Sequence, residues 1–305
     1  MDFLYILEGI RNPVFDAFFS AITYFGDEIL FMAVGMIFFW CYDKRQGYYL
    51  LTVGLLGTVV NQFLKMLFRV PRPWVKDPGF SPIESAKGAA TGYSFPSGHT
   101  QISVGLYGGM ARWNKQKALR IFAIAMCVLV PFSRMYLGVH TPADVLTSVV
   151  VALVLVFGLY PVFKKWLDRP WVMYAVIVAI ALALIGQICF LSFYPFPEDV
   201  YGNENYISAL ENAATLLGCT AGLFFVYYID EKYTRFPTKA PWWAQLIKVG
   251  VGLSLAIGVR AGLKAPLNAI IPNEYIARGL RYFIMVMVIG VLWPMTFKYF
   301  EKMKD

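Results

Sequence analysis

Long apolar segments alternate with short polar breaks along most of the chain. A membrane-spanning helix needs about 20 mostly apolar residues, so this repeated pattern predicts a protein that crosses the membrane many times. About nine spans are expected, at 27–42, 47–68, 95–112, 118–134, 143–163, 171–194, 206–229, 242–264 and 276–297. The predicted fold is all-α, a polytopic transmembrane helical bundle.

The N-terminal segment fits this pattern less well. Asn12-Pro13 breaks it, and Asp16 interrupts the apolar run that follows. Residues 13–25 are short for a span, so we predict an interfacial helix followed by a short, half-inserted one.

Composition supports a membrane location. Charged residues make up 15% of the 305-residue chain, whereas soluble globular proteins carry about 25%. The net charge of +8 could suggest a nucleic-acid partner, but Lys and Arg cluster at the ends of apolar segments. That distribution is typical of membrane proteins and argues against nucleic acid.

Basic residues in every second loop set the predicted orientation. They are Lys44, Arg45, Arg112, Lys115, Lys117, Arg120, Lys164, Lys165, Arg169, Lys232, Arg235 and Lys239. Because cytoplasmic loops are enriched in Lys and Arg, we place these loops and the basic C-terminus in the cytoplasm. The membrane is expected to be the plasma membrane. The loop at 195–205 has no Lys or Arg and is expected on the opposite, extracytoplasmic side.

Three polar stretches near the predicted extracytoplasmic ends contain both histidines of the chain. In the first, Val70-Pro71 breaks the helix that carries Lys65 and leaves Arg72-Pro73 on the exit loop. Both cations can then contact one anion, and the guanidinium fork matches phosphate oxygens. Alone, the pair would also fit cations that snorkel at a membrane interface.

The second stretch, Pro96-Ser97-Gly98-His99, precedes an apolar helix. Ser97 can cap that helix, and Gly98 permits close approach of the backbone to a ligand. Free amides and the helix dipole favour anion binding at such a terminus. An ordinary capped helix is the simpler interpretation, but His99 at the start of a membrane helix is costly unless it has a function.

The third stretch runs from Ser133-Arg134 through His140 to Asp144. Thr141 and Asp144 fit a capping box with a proline at the first helical position. Asp144 can also accept a hydrogen bond from one nitrogen of His140 and leave the other nitrogen as a nucleophile. One carboxylate has enough oxygens for both roles. Arg134 would supply a further phosphate ligand.

Together these residues predict a phosphate-handling active site. Phosphoryl transfer needs mainly positioning and charge stabilisation, and two histidines can divide the roles of nucleophile and proton donor. Asp144 is the only acidic residue in the three stretches. We therefore expect neither a metal ion nor another cofactor.

The combined pattern resembles the signature of the type 2 phosphatidic acid phosphatase family, which includes glucose-6-phosphatases and vanadium haloperoxidases. It consists of Lys65-x6-Arg72-Pro73, Pro96-Ser97-Gly98-His99 and Ser133-Arg134-x5-His140-x3-Asp144. The resemblance covers roughly residues 13–163. It implies that His140 forms a phosphohistidine, oriented by Asp144, and that His99 protonates the leaving group and then helps to activate water. It also implies a set of phosphate ligands: Lys65, Arg72, Ser97, Gly98 and Arg134.

The expected function is hydrolysis of a lipid phosphomonoester or diphosphate, with an isoprenyl diphosphate or a glycerophospholipid phosphate as substrate. Nothing in the motifs distinguishes water from another acceptor, so a phosphotransferase acting on a lipid or sugar is an alternative. A non-catalytic lipid-binding or transport protein is another, although the intact His99, His140 and Asp144 argue against it. The sequence does not indicate the oligomeric state.

The charged break at 164–170 suggests a boundary between a catalytic core, residues 1–163, and an accessory four-helix region, residues 164–305. Four basic residues of that region lie at extracytoplasmic helix ends, against the general trend: Arg260, Lys264, Arg278 and Arg281. Their spacing places each pair on one helical face. They fit snorkelling cations, or partners of Glu198, Asp199, Glu204 or Glu274. The alternative hypothesis is a second site for anionic lipid.

Overall fold

The computed structural model describes residues 1–88 and 90–303. These residues are predominantly helical and contain no strand, which confirms the all-α prediction. The principal helices are α1 (Asp2–Gly9), α2 (Pro13–Thr23), α3 (Glu28–Ile37), α4 (Lys44–Phe68), α5 (Pro73–Lys76), α6 (Glu84–Lys87), α7 (Gly98–Trp113), α8 (Lys117–Tyr136), α9 (Pro142–Pro161), α10 (Pro170–Phe193), α11 (Glu204–Ile229), α12 (Trp242–Gly262), α13 (Lys264–Ile270), α14 (Glu274–Met287) and α15 (Phe297–Phe300).

Seven helical segments of the described chain are long and apolar enough to cross a membrane. They correspond to seven of the predicted spans and extend them by a few residues. The segments are Lys44–Lys76, Lys117–Tyr136, Pro142–Trp166, Pro170–Phe193, Glu204–Thr234, Trp242–Ile270 and Glu274–Phe300. The protein is an integral membrane protein.

The other two predicted spans differ from expectation, and a count of nine is not confirmed. The segments Pro13–Gly26 and Glu28–Tyr42 qualify only as a pair, bent by 54°. Asp27 causes this break, since its carboxylate accepts a hydrogen bond from the amide of Ile29 at 2.7 Å and starts a new helix. Helix α7 has only 16 residues, because Pro96 precedes its start.

Two compact units make up the described chain. The first comprises residues 1–32, 49–162 and 197–206, and it contains all three motifs. The second comprises residues 33–48, 163–196 and 207–305.

Helix α7 is central to the first unit and packs along α8 and α9. At the end of α7 away from the motifs, Tyr49 stacks on Trp113 with ring centroids 5.4 Å apart. Its hydroxyl donates to the carbonyl of Val156 at 2.7 Å. At the motif end, a Cβ at Gly26 would lie 2.9 Å from the carbonyl oxygen of His99. Only glycine allows the backbone after α2 to lie this close to the start of α7.

The second unit contains buried polar contacts of its own. Lys44 forms an ion pair with Asp230 at 2.8 Å and lies over the ring of Phe236 at 3.6 Å. The indole of Trp40 is fully buried and donates to the carbonyl of Ile289 at 3.1 Å. These contacts satisfy groups that would be costly to bury alone.

Candidate active site

The first motif places two buried cations where α4 ends. Lys65 lies in the last turn of α4, and Arg72 lies on the exit loop as the residue before α5. Their exposed fractions are only 9% and 7%. A cation that snorkels would keep its charged end in water. The structure therefore disagrees with the snorkelling interpretation for this pair.

The loop before the second motif turns its carbonyl groups toward these cations. Lys65 Nζ donates to the carbonyl of Tyr93. Arg72 Nε donates to the carbonyl of Gly92 at 2.9 Å, and Nη2 donates to that of Thr91 at 2.6 Å. A guanidinium group has five N–H donors. The loop therefore uses much of the hydrogen-bonding capacity of Arg72.

A tight turn between α8 and α9 connects Arg134 to His140. The amides of Val139 and His140 both donate to the carbonyl of Arg134, at 3.1 and 3.3 Å. The turn requires a left-handed residue, and Gly138 supplies it with φ +77°. A Cβ at Gly138 would also lie 2.8 Å from the ring of Phe80.

The contacts of His140 define its tautomer. Its Nε2 lies 3.0 Å from Arg72 Nη1, and its Nδ1 lies 3.5 Å from Asp144 Oδ2. Because a guanidinium only donates hydrogen bonds, Nε2 presents its lone pair to Arg72 and the proton is assigned to Nδ1. Nδ1 faces the carboxylate but at 3.5 Å forms no hydrogen bond to it.

The surroundings of His140 also keep it uncharged. The side chain is 2% exposed, and burial lowers the pKa of this imidazole well below its usual value. The nearby charges of Arg72, Arg134 and Lys65 lower the pKa further. A neutral imidazole is the form that can attack phosphorus.

Asp144 holds the start of α9 and faces His140 at the same time. The predicted capping box is confirmed: the Thr141 amide donates to Asp144 Oδ2 at 2.7 Å, and the Thr141 hydroxyl accepts from the Asp144 amide. Ser94 donates to the same Oδ2 at 2.6 Å. The sequence analysis missed Ser94, because a lone serine in a loop carries no signal of its distant partner.

The second motif forms the N-terminus of α7, as predicted. The Ser97 hydroxyl accepts from the amide of Thr100 at 3.4 Å and so caps the helix. A Cβ at Gly98 would meet only Asn61 Oδ1 at 4.0 Å, so the fold itself does not require glycine there. His99 is partly exposed, whereas Ser97 is fully buried.

Arg134 is the most deeply buried of the three cations, at 1% exposed. Its Nη1 donates to the hydroxyl of Thr23 at 2.7 Å, a contact with α2 that sequence reasoning did not find. Its Nε has no hydrogen-bond partner among residues 1–88 and 90–303. A buried donor without a partner costs about 1–3 kcal/mol, so Arg134 is suited to an anionic ligand.

The cluster is strongly electropositive. Arg72 Nη1 lies 3.0 Å from His140 Nε2, and the charges of Arg72, Arg134 and Lys65 all lower the pKa of His140. Asp144 is the carboxylate beside this histidine. Three cations against one carboxylate leave an excess of two positive charges. This excess complements a phosphate dianion.

Two parts of the chain are similar to known proteins. Residues 45–168 match the PAP2 superfamily, and residues 212–305 match the transmembrane extension of PAP2 superfamily phosphatases. An undecaprenyl-diphosphatase of Bacillus subtilis is 30% identical over 58% of this chain and 88% of the relative. The chain belongs to the PAP2 superfamily.

Two further relatives match about half of this chain and about three quarters of their own length. A lipid A 4'-phosphatase of Porphyromonas gingivalis is 29% identical over 53% of this chain and 73% of the relative. A phosphatidylglycerophosphatase B of Bacillus subtilis is 30% identical over 48% and 75%, respectively. No solved structure matches the chain. As a PAP2 member, the protein is a membrane phosphatase, and the phosphatases of this family act without a metal ion.

The basic residues of the accessory region are not gathered in one place by ion pairs. Arg278 Nη1 lies 2.9 Å from Glu211 Oε2, and its Nε donates to the hydroxyl of Thr215 at 2.8 Å. Its partner is therefore on α11 and is none of the four acids that the sequence suggested. Arg260 and Arg281 instead lie near one aromatic ring, that of Tyr282.

Proposed function

We propose that this PAP2 enzyme hydrolyses a phosphomonoester or diphosphate of a membrane lipid through a phosphohistidine on His140. The contact of Arg72 Nη1 with His140 Nε2, at 3.0 Å, carries this proposal. It selects the tautomer whose Nε2 lone pair points away from Asp144. Asp144 then stabilises the positive charge that develops on the ring during attack.

In the first step, a phosphate oxygen replaces Nε2 as the acceptor for Arg72 Nη1, which frees the Nε2 lone pair. Nε2 of His140 then attacks phosphorus, and the bond from phosphorus to the leaving oxygen breaks. The leaving group is the lipid alcohol of a monoester or the lipid monophosphate of a diphosphate. His99, as the partly exposed histidine, donates the proton that this oxygen needs.

In the second step, a water molecule attacks the phosphohistidine. The now neutral His99 accepts a proton from that water, the bond from phosphorus to Nε2 breaks, and inorganic phosphate leaves. His140 regains its neutral form, so the cycle is closed without a metal or cofactor.

The phosphate ligands divide into two groups by their free hydrogen-bonding capacity. Arg72 is largely engaged by carbonyls and by His140, whereas Arg134 has an unpartnered Nε. We propose that Arg134, Lys65 and the α7 N-terminus with Ser97 and Gly98 hold the phosphate oxygens. Arg72 contributes its charge, and its main task is to orient His140.

The active site is proposed to face the extracytoplasmic side of the plasma membrane, with the C-terminus in the cytoplasm. The basic residues near Lys117 lie at the end of α7 and α8 opposite the motifs. Helix α8 crosses the membrane from the basic end to the motif end. Because α7 runs between the same two ends, α7 must cross the membrane as well. Together with the seven long helices and the bent pair at 13–42, this gives nine passes.

We further propose that residues 1–163 form the catalytic core and residues 164–305 the accessory region. Names of the relatives suggest prenyl diphosphates and glycerophospholipid phosphates as substrates to test. Purified protein and His140→Ala should be assayed in EDTA against both lipid classes, with released phosphate measured. We expect turnover by the wild type alone. Equal activity of the two proteins would refute the nucleophile assignment, and loss of wild-type activity in EDTA would refute the metal-free mechanism.

A further inference from the structure

Helix α12 carries a stripe of small residues that opens a groove in the second unit. Gly250, Ser254, Gly258 and Gly262 recur at every fourth position and line a cavity of about 650 Å³. Ile284 of α14 forms part of the opposite wall. An added Cβ at any of the three glycines would meet no atom within 4 Å. The groove is thus open space along the helix.

A buried cation lies on α14, one of the two helices that line this groove, and it has no ion pair with any residue that the structure describes. Arg281 is 7% exposed, and its Nε has no hydrogen-bond partner in the described parts of the chain. The guanidinium carbon lies 5.6 Å from the centroid of the Tyr282 ring. An aromatic face compensates only part of the cost of burying a charge. This arginine is therefore suited to an external anion.

The position of Arg281 relates it to the groove. It lies three residues before Ile284, and residues at this spacing share one face of a helix. On the other wall, Arg260 lies three residues before Leu263, which lines the cavity. Arg260 is exposed, and its guanidinium carbon is 6.0 Å from the same Tyr282 ring. Both arginines thus lie near one ring between α12 and α14, the two helices whose residues line the groove.

Lys264 adds a third cation beside Leu263 of the groove, while Arg278 does not belong to the cluster. Lys264 is exposed and starts α13 directly after Leu263. Arg278 is held by Glu211 and Thr215, so its charge is already neutralised.

We propose that this groove binds a phosphate-bearing lipid. The phosphate headgroup would contact Arg281, Arg260 and Lys264, and the hydrocarbon chain would lie along the small-residue stripe of α12. Charge complementarity selects an anionic headgroup, and the adjoining apolar groove selects a lipid over free phosphate. The site needs no turnover, so the proposal does not depend on the mechanism at His140.

Lipid binding to the full-length protein tests this site. Native mass spectrometry would count bound phosphatidic acid molecules in excess orthovanadate, a phosphate analogue that occupies the active site. We expect one retained lipid, and an apparent Kd at least about tenfold higher in Arg281→Gln and Arg260→Gln. Arg281→Lys should recover part of the affinity. Lys298→Gln is the matched control, because Lys298 is also exposed and lies over a tyrosine ring, at 5.2 Å.

The apolar half of the site has its own matched pair. Gly258→Leu fills the groove and should weaken phosphatidic acid binding, whereas Gly186→Leu adds the same side chain to open space on α10 and should not. Unchanged binding in both Arg260→Gln and Gly258→Leu would overturn the proposal. So would equal binding of phosphatidylcholine, or displacement of the lipid by a matching concentration of inorganic phosphate. Because Arg260 is exposed, its variant keeps the test valid if Arg281→Gln fails to fold.

Discussion

Arg134 and Arg278 are both arginines near helix ends on the same predicted side of the membrane, but their surroundings differ. Arg278 forms an ion pair with Glu211 at 2.9 Å and is half-buried. Arg134 is buried, donates to the neutral hydroxyl of Thr23 and has an unpartnered Nε. Arg278 has its counterion within the protein, whereas Arg134 has none among residues 1–88 and 90–303. The partner of an arginine, more than its position along a helix, distinguishes a structural cation from a ligand for phosphate.

The largest expected effect is therefore on Arg134. Arg134→Gln removes charge from the developing transition state and should lower kcat/KM by about 10²–10³-fold. Arg278→Gln is the matched control and should leave kcat/KM within about twofold. Both are measured by phosphate release from one lipid phosphate. Similar losses in the two variants would remove the distinction between these arginines.

The same comparison can be made for two carboxylates: Asp144 lies beside His140, and Glu211 pairs with Arg278. Asp144→Asn keeps the size of the side chain but no longer stabilises the charged ring of His140, so kcat should fall by about 10²-fold or more. Glu211→Gln should leave kcat near the wild-type value, since its carboxylate pairs with Arg278 and not with His140. A kcat for Asp144→Asn near that of the wild type would reduce Asp144 to its helix-capping role.

Gly98→Ala tests whether the phosphate, and not the fold, requires glycine at the start of α7. A Cβ fits the protein at this position, so Tm should not fall, but close approach of the phosphate to the backbone should be hindered. We expect about a tenfold loss of kcat/KM. Gly158→Ala, on α9 and likewise unobstructed, is the control and should retain activity. A lowered Tm in Gly98→Ala would point to a structural need for glycine instead.

The smallest effect is on stability as a function of pH. The folded protein keeps His140 neutral because burial and Arg72 lower its pKa, while an unfolded imidazole gains a proton below about pH 6.5. The contribution of His140 to the free energy of unfolding is thus complete above that pH and is lost below it, by up to about 1.4 kcal/mol per pH unit.

His140→Gln should accordingly show a shallower decline of Tm in acid than the wild type, in thermal scans of purified protein. Residues 164–305 contain no histidine. No histidine of that region can therefore contribute to the decline of Tm in acid. A decline of equal steepness in the wild type and the variant would contradict the neutral, buried state of His140.

Much of the site could be predicted because its residues occur in short local patterns. The capping box of Thr141 and Asp144 needs only a three-residue spacing, and the proline after Val70 marks the end of the helix that holds Lys65. The contacts of Ser94 and Thr23 could not be predicted. They join loops and helices far apart in sequence, and neither residue has a local pattern that points to its partner.

The fold was predictable to a similar degree. Seven apolar segments are long enough to be recognised by length alone, and the structure confirms them. The bend at Asp27 was missed because an aspartate between two apolar runs fits a loop as well as a broken helix. The predicted partners of Arg278 were wrong for a different reason. Its partner Glu211 lies within α11, whereas the prediction considered only acids in loops and at helix ends.

Trapping the covalent intermediate tests the central claim most directly. The protein is mixed with a lipid diphosphate labelled on its terminal phosphate, quenched in alkali, in which phosphohistidine is stable, and analysed for label on the chain. We predict label on His140 in the wild type and none in His140→Ala. Label on another residue, or turnover by the wild type with no labelled protein at any time, would contradict the account.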